Sequence, residues 1–518
     1  MKPNAARPPL FEFRKLTVLA LLLASASASS AASDTWTGGT NGTWATTSNW
    51  LSGTNSPGTL TTPTVSTNTD TAIFNNNTNT TIDYSTSSLN LGSVLFTGTP
   101  GSFNIRSGPT GTGTSRLIFT LGGSVTVDST VTNPQSLART GLSGSTGTYT
   151  FENNASPTTA TLTMGGTLAS TTTGAATLIL TGTNTGLNAI TGAISQAGGA
   201  SVLSITKNGT GTWTLGNNSH GGTTTLNAGT LGFASSNALG TGNFVVNGGT
   251  FGTAGLSTRT ITNNITVGGD FTLSGVGAAL PVVLNGTMDL GGATRTISLI
   301  NTATIGGVIS NGALTLASTG ATRTLTLGGA NTYTGATTVS GGTLLVNGSL
   351  GATSIVNVSL SATLGGDGSI NAPVTVAAGG NLQPGTTTGV VGSLDTGLLT
   401  MGGTYIPTIT GNGVNDLVNV AGAADFNGTI APVLSGYAPA LNDIFDIANW
   451  SGAFSGSPAF DFANAPLASG LDWDSSNFST DGTLKVVASI PEPAAGLLGG
   501  IGALLALSSR RRRSARPG

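Results

Sequence analysis

The sequence predicts an all-β chain wound as a solenoid. Three observations carry this reading. Leu325–Leu344, LTLGGANTYTGATTVSGGTL, returns in altered form as Trp213–Leu231, WTLGNNSHGGTTTLNAGTL, and the halves 334–344 and 221–231 align without gaps. Apolar residues alternate with Thr in short runs over most of the chain, the period of a strand with one face buried. Charged residues make up only 7% of the 518, while glycine numbers 80. Disorder is the other reading of so simple a composition, but 37% apolar residues in regular alternation supply a core to bury. A unit that repeats its turns and its apolar beats argues for stacked coils rather than a pocketed enzyme.

Within Leu325–Leu344 the pattern predicts strands at Leu325–Leu327 and Thr337–Val339 and a third opening at Thr343–Val346. Gly-Gly-Ala-Asn-Thr-Tyr-Thr-Gly and Ser-Gly-Gly fall between them. These residues suit turns, because Gly accepts positive φ and Asn hydrogen-bonds its own backbone. The stretch resembles the autotransporter-associated β-strand repeat of bacterial exported proteins. The resemblance is nearly complete at 325–344; the copy at 213–231 is one residue shorter, with Ser219-His220 where the family carries Thr-Tyr-Thr. It implies a right-handed parallel β-helix and a secreted or surface-displayed protein.

Taken in order, residues 1–32 read as a signal peptide for Sec export. Arg14-Lys15 form the positive flank, Leu16–Leu23 the apolar core, and cleavage is expected after Ala28 or Ala32. Eight strongly apolar residues are too few to span a bilayer as an anchor. Residues 33–88 are expected to cap the solenoid. Trp36, Trp44 and Trp50 stand among Gly and Thr, either to cover the first open coil or to offer a stacking platform for sugars. The helix proper is expected over 89–393, with strands at Leu117–Leu121, Val125–Val127, Tyr149–Phe151, Leu162–Met164 and Leu178–Leu180. Ile190–Leu231 parallels Ile305–Leu344. Arg259, Arg295 and Arg323 are expected to face solvent beside strands. Coils of about 20–25 residues would give about 13–15 turns and a rod of about 60–70 Å. Val, Ile and Leu ladders would fill its interior and Thr and Asn ladders its faces and corners, whereas like charges would repel along the stack.

Leu364–Gly385 resembles the closing segment of such repeat proteins. Aromatic residues then gather, and residues 394–489 are expected to form a small antiparallel β cap. At 490–518, Pro491-Glu492-Pro493 precedes an apolar run, Ala494–Leu507, and a basic tail with Arg510, Arg511, Arg512 and Arg513. This arrangement resembles the PEP-CTERM sorting signal, with Ile490 where Val is usual. It implies an exosortase-type sorting enzyme as partner and passage through the inner membrane to the cell surface or extracellular matrix. Physical chemistry alone gives an apolar run marginal for spanning, with arginines held on the cytoplasmic side, so an uncut anchor is the alternative. A route other than a C-terminal autotransporter barrel is expected.

Charge and composition exclude other functions. Between Asp34 and Ser509 eight basic residues face 18 acidic ones, which offers no footprint for nucleic acid. There is no cysteine and hence no thiolate chemistry. The one histidine, His220, reads as a turn residue with no carboxylate nearby in sequence. Asp443/Asp446 and Asp472/Asp474 are the carboxylate pairs a polysaccharide lyase or hydrolase on this scaffold would draw on. They read instead as structural or solvated. No catalytic residue, cofactor or metal is expected. The expected function is structural or surface display, with extracellular polysaccharide or envelope proteins as partners; a glycan-cleaving enzyme and a carbohydrate-binding adhesin are the alternatives.

Overall fold

Parallel sheets on three faces build the molecule: the second-face sheet runs nearly its whole length, the third-face sheet runs from Arg259–Ile261 to Ala459–Phe460, and the first face is divided between a sheet ending at Ile309–Ser310 and one beginning at Ala330–Asn331. The computed structural model describes residues 33–490 apart from 55, 61–67, 85–87, 109–114, 144–145, 171–173, 199–200, 278–279, 319–322, 352–353 and 386–389. Residues 1–32, expected to be a signal peptide, the Pro491-Glu492-Pro493 motif and the basic tail lie outside the described residues. The chain visits a first, second and third face in turn and begins again one strand higher. The second face is unbroken from Thr81–Asp83 to Phe454–Gly456 and holds 17 strands. At about 4.8 Å per strand it is about 75–80 Å long. Thirteen of these strands lie between Asn104 and Val376, within the range expected for residues 89–393. Coil length varies more than expected, from 18 residues between paired Val358 and Val376 to 32 between Ile105 and Leu137.

Period two explains the interior. Each short strand turns alternate side chains inward, and parallel pairing puts like positions directly above one another. Phe271, Ile297, Leu316, Val339, Val358, Val376, Met401 and Phe426 form one such inner ladder on the second face, all buried. Leu325, Leu344, Leu364, Leu382, Tyr405 and Ile430 form another on the third. The expected Asn ladders stand at a corner, where Asn227 donates to Asn208 Oδ1 and Asn247 to Asn227 Oδ1, each at 2.8 Å. Opposite charges also fit a ladder: Arg106 Nε donates to Asp83 Oδ1 at 2.8 Å across one paired step.

The repeat owes its sequence to side chains that tie coils together. Asn218 and Asn331 occupy equivalent positions in the two copies. Asn218 Oδ1 accepts the N–H of Ile194 (2.9 Å) and its Nδ2 donates to Ala238 O (2.6 Å). Asn331 Oδ1 accepts from Ile309 N (2.9 Å), and its Nδ2 reaches Ser349 O (3.2 Å). Each buried amide thus joins the coil below to the coil above. The expected turn at 328–335 therefore contains a short strand, Ala330–Asn331, paired with Ser349–Leu350. Two residues after each Asn comes a buried ring bonded four residues on: His220 Nε2 to Thr224 Oγ1 (3.1 Å) and Tyr333 Oη to Thr337 Oγ1 (2.6 Å).

The two copies nevertheless sit on different faces. Thr212–Leu215 and Thr230–Phe233 belong to the second face, whereas their counterparts Thr324–Leu327 and Gly342–Val346 belong to the third. The motif fixes one coil locally and leaves its position around the rod free.

Both ends differ in kind from the middle. Trp36, Trp44 and Trp50 are buried and pack edge to face, with ring centroids 5.2 and 5.0 Å apart, over Phe74. Their indole N–H groups donate to Thr78 O, Pro57 O and Trp44 O. The rings have no free face to offer a sugar, which rules out the stacking platform. At the other end parallel coils continue past residue 394 to Ala459–Phe460. The antiparallel sheet is three short strands, Ile444–Asp446, Thr483–Ala488 and Leu471–Asp474, laid beside the last coils. Among the described residues no helix is long and apolar enough to cross a membrane.

Candidate functional site

Among the described residues, Lys207, His220 and Asp416 are buried ionisable groups that the alternation explains only in part. Lys207 follows Leu203 and Ile205 at inward positions and is fully buried. Its Nζ donates to the carbonyls of Asn208 (2.6 Å), Gly209 (2.9 Å) and Ala228 (3.0 Å), and burial pulls it down to about 8. It satisfies a corner that glycine turns leave rich in acceptors. His220 is fully buried. Its Nδ1 has no partner, and burial pushes the imidazole down to about 4. Asp416, also buried, accepts from Gly392 N and Thr408 N, both at 2.8 Å, and burial pushes it up to about 6. All three are closed off from solvent and pin the coil; none is placed to meet a ligand.

The paired carboxylates are engaged in local hydrogen bonds. Asp443 accepts from Tyr437 Oη (2.6 Å) and Ala440 N (2.7 Å) and so clamps a loop. Asp446 accepts from Asn449 Nδ2 at 3.2 Å. Asp472 and Asp474 lie on the antiparallel strand, where they cap Trp473 N and Ser476 N at 2.9 Å each. Among the described residues no three His, Asp or Glu side chains gather to hold a metal ion. The arginines also depart from expectation: Arg323 is exposed, but Arg259 and Arg295 are half-buried, and Arg295 Nε donates to Leu290 O at 2.9 Å.

A lateral groove of about 410 Å³ opens on the first face near the C-terminal end. Its floor is one outward ladder, Ser369, Asp395, Asn419 and Asn449, placed in register by three consecutive strand pairings. Asn419 Nδ2 donates to Asp395 Oδ1 at 2.9 Å, which orients both side chains. Asn371, Thr396, Val420, Ala421, Trp450 and Ser451 complete the lining. Trp450 is half-buried against Phe454 and Phe478, with ring centroids 4.8 and 6.1 Å away. Sequence reasoning missed this site. The ladder residues are 26, 24 and 30 positions apart, so their column emerges only once each coil's length is known. The one available signal was Trp450 itself, a large aromatic after an outward Asn.

Two segments, 205–232 and 319–346, match the profile of the passenger-associated transport repeat. They enclose the two copies compared above. The chain is also 33% identical over 190 residues to the autotransporter adhesin BmaC of Brucella suis biovar 1 (strain 1330). That likeness covers 33% of this chain and 5% of the relative, so the chain spans a small part of that protein's length.

Proposed function

We propose that this protein is an exported, non-enzymatic rod displayed at the cell surface, working through its lateral faces. The observation that carries the reading is a solenoid of about 15 turns whose defining coils match a passenger-associated repeat. A rod with few charges and many amides and hydroxyls suits contact with polysaccharide or with neighbouring envelope proteins. The likeness to an autotransporter adhesin supports surface display. None of the four candidate aspartates lines the lateral groove, which supports display over cleavage, because glycoside cleavage needs two carboxyl groups held about 5–10 Å apart across a groove.

In this reading residues 1–32 direct Sec export, 33–489 form the capped rod, and 490–518 sort it. An exosortase-type enzyme recognises Pro491-Glu492-Pro493, while Arg510–Arg513 hold the tail on the cytoplasmic side. The test expresses the full chain with and without an exosortase and follows mass and location. Loss of the tail near Pro491 only with the enzyme present, together with surface exposure, is the expected result. A full-length chain retained in the inner membrane under both conditions would refute the sorting route.

A further inference from the structure

We infer that the groove floored by Ser369, Asp395, Asn419 and Asn449 and walled by Trp450 binds a neutral polysaccharide strand. The inference rests on the surface-display reading and supplies its ligand class. Three features of the groove lead to it.

Trp450 differs from every other tryptophan in the chain. Trp36, Trp44, Trp50, Trp213 and Trp473 each donate their indole N–H to a main-chain carbonyl. Trp450 keeps its hydrophobic body against Phe454 and Phe478, its N–H has no acceptor in the protein, and the residue borders the groove. An aromatic with one packed side and an unused donor is the usual form of a contact residue.

The floor supplies the complementary chemistry. Asp395 has one oxygen engaged by Asn419 and the other free, Asn449 uses its Nδ2 on Asp446 and leaves its carbonyl open, and Asn371 presents an unused amide N–H₂ beside Ser369. Free acceptors on Asp395 and Asn449 and a free donor on Asn371 therefore lie along three strand steps, about 14 Å. That length and that mixture suit the hydroxyls of a short oligosaccharide laid along the rod, since each hydroxyl both donates and accepts. The Asn419 side chain is already fixed by Ser393 and Asp395, so little ordering is lost on binding.

Charge selects the class of glycan. No lysine or arginine lines the groove, and Asp395 is its one charged residue. An acidic polysaccharide would bring carboxylates against Asp395 with no cation to receive them, whereas a neutral strand meets no such repulsion.

The test titrates the full chain with three neutral hexasaccharides, cellohexaose, maltohexaose and mannohexaose, and with polygalacturonate, by calorimetry at pH 7. At least one neutral probe is expected to bind, with affinity changing less than about twofold on raising NaCl to about 0.5 M. Trp450→Phe keeps a ring and removes the N–H, and should weaken binding by about threefold to tenfold, the worth of one hydrogen bond. Asn449→Ala, an exposed change, should cost a similar factor while leaving the melting curve in place. Three results would overturn the proposal: no neutral probe binding at millimolar concentration, binding indifferent to both variants, or polygalacturonate binding more tightly than all three. A chain that reaches the surface yet ignores these glycans would sink this inference and leave the display reading standing.

Discussion

His220 should make one coil of the rod fail in mild acid before its neighbours do. The ring is fully buried, its Nδ1 is unpartnered, and a neutral imidazole is the form the fold accepts. Its folded pKa lies near 4 against about 6.5 in an open chain. The folded state therefore binds fewer protons than the open state between these values. Stability supplied by the neutral ring is complete above about pH 6.5 and is lost as pH falls towards 4. At 1.36 kcal/mol per unit, the coil should lose about 3 kcal/mol by pH 4.5. His220→Tyr installs the ring that Tyr333 supplies at the equivalent position, with its hydroxyl within reach of Thr224 as Tyr333 is of Thr337. That variant has nothing to protonate and should keep its coil closed.

The assay must be local. Asp416 has the opposite sign, since a carboxyl raised to about 6 favours the fold as pH falls from about 6 to 4. A single melting curve would sum the two and show little. Hydrogen exchange read peptide by peptide, with protection corrected for the intrinsic rate, separates them. Between pH 7 and 4.5, peptides covering 213–246 should lose protection by about two orders of magnitude in the wild type and hold it in His220→Tyr. Equal protection at both pH values in the wild type, or equal loss in the variant, would refute the reasoning.

Other expectations follow from the same geometry. Asp416→Ala strands the N–H groups of Gly392 and Thr408 and should cost about 2–4 kcal/mol at pH 7, read as early exchange in peptides spanning 390–418. Lys207→Ala removes the one donor shared by three carbonyls and should destabilise by a similar amount, measured by urea unfolding. Trp50→Ala opens the N-terminal cap and should cost about 3–5 kcal/mol, with cleavage by added protease beginning at the N-terminal coils. Gly182→Ala places a methyl group on the Asn153 carbonyl at a φ of +109° and should prevent the coil from closing, seen as loss of soluble folded protein.

How much of this was legible in the sequence depends on the distance over which each feature is encoded. The strands at 325–327, 337–339 and 343–346 were readable because alternation and turn residues act within a few positions. Parallel stacking followed from the repeat, and the Trp cap from the need to close an open end. Lys207 stands at an inward beat after Leu203 and Ile205, but nothing in the alternation marks a lysine there as a donor to glycine-rich turns. The burial of His220 was readable too, by alignment with Tyr333. The groove was not readable. Its ladder depends on register summed over coils of unequal length, and Trp450 gains meaning only beside Asn419 and Asp395. The end of the parallel coils was hidden for a related reason: aromatic residues after 394 thicken the interior and fold the antiparallel strands beside it, and composition alone does not separate the two.

The displacement of the two repeat copies by one face couples the length of the rod to the direction of its surfaces. A deletion fusing Leu215 to Gly328 would keep every strand and turn of the repeat, because each coil is specified locally, and would remove 112 residues. It would not remove a whole number of turns. Everything downstream would be rotated by one face about the axis, and the groove by Trp450 would point to another side relative to the Trp cap. Duplication between the copies would turn it the other way. Gain and loss of repeats in such a chain is therefore a way of steering as well as of lengthening: a rod fixed at one end could aim the same groove at a new neighbour without a single substitution in it.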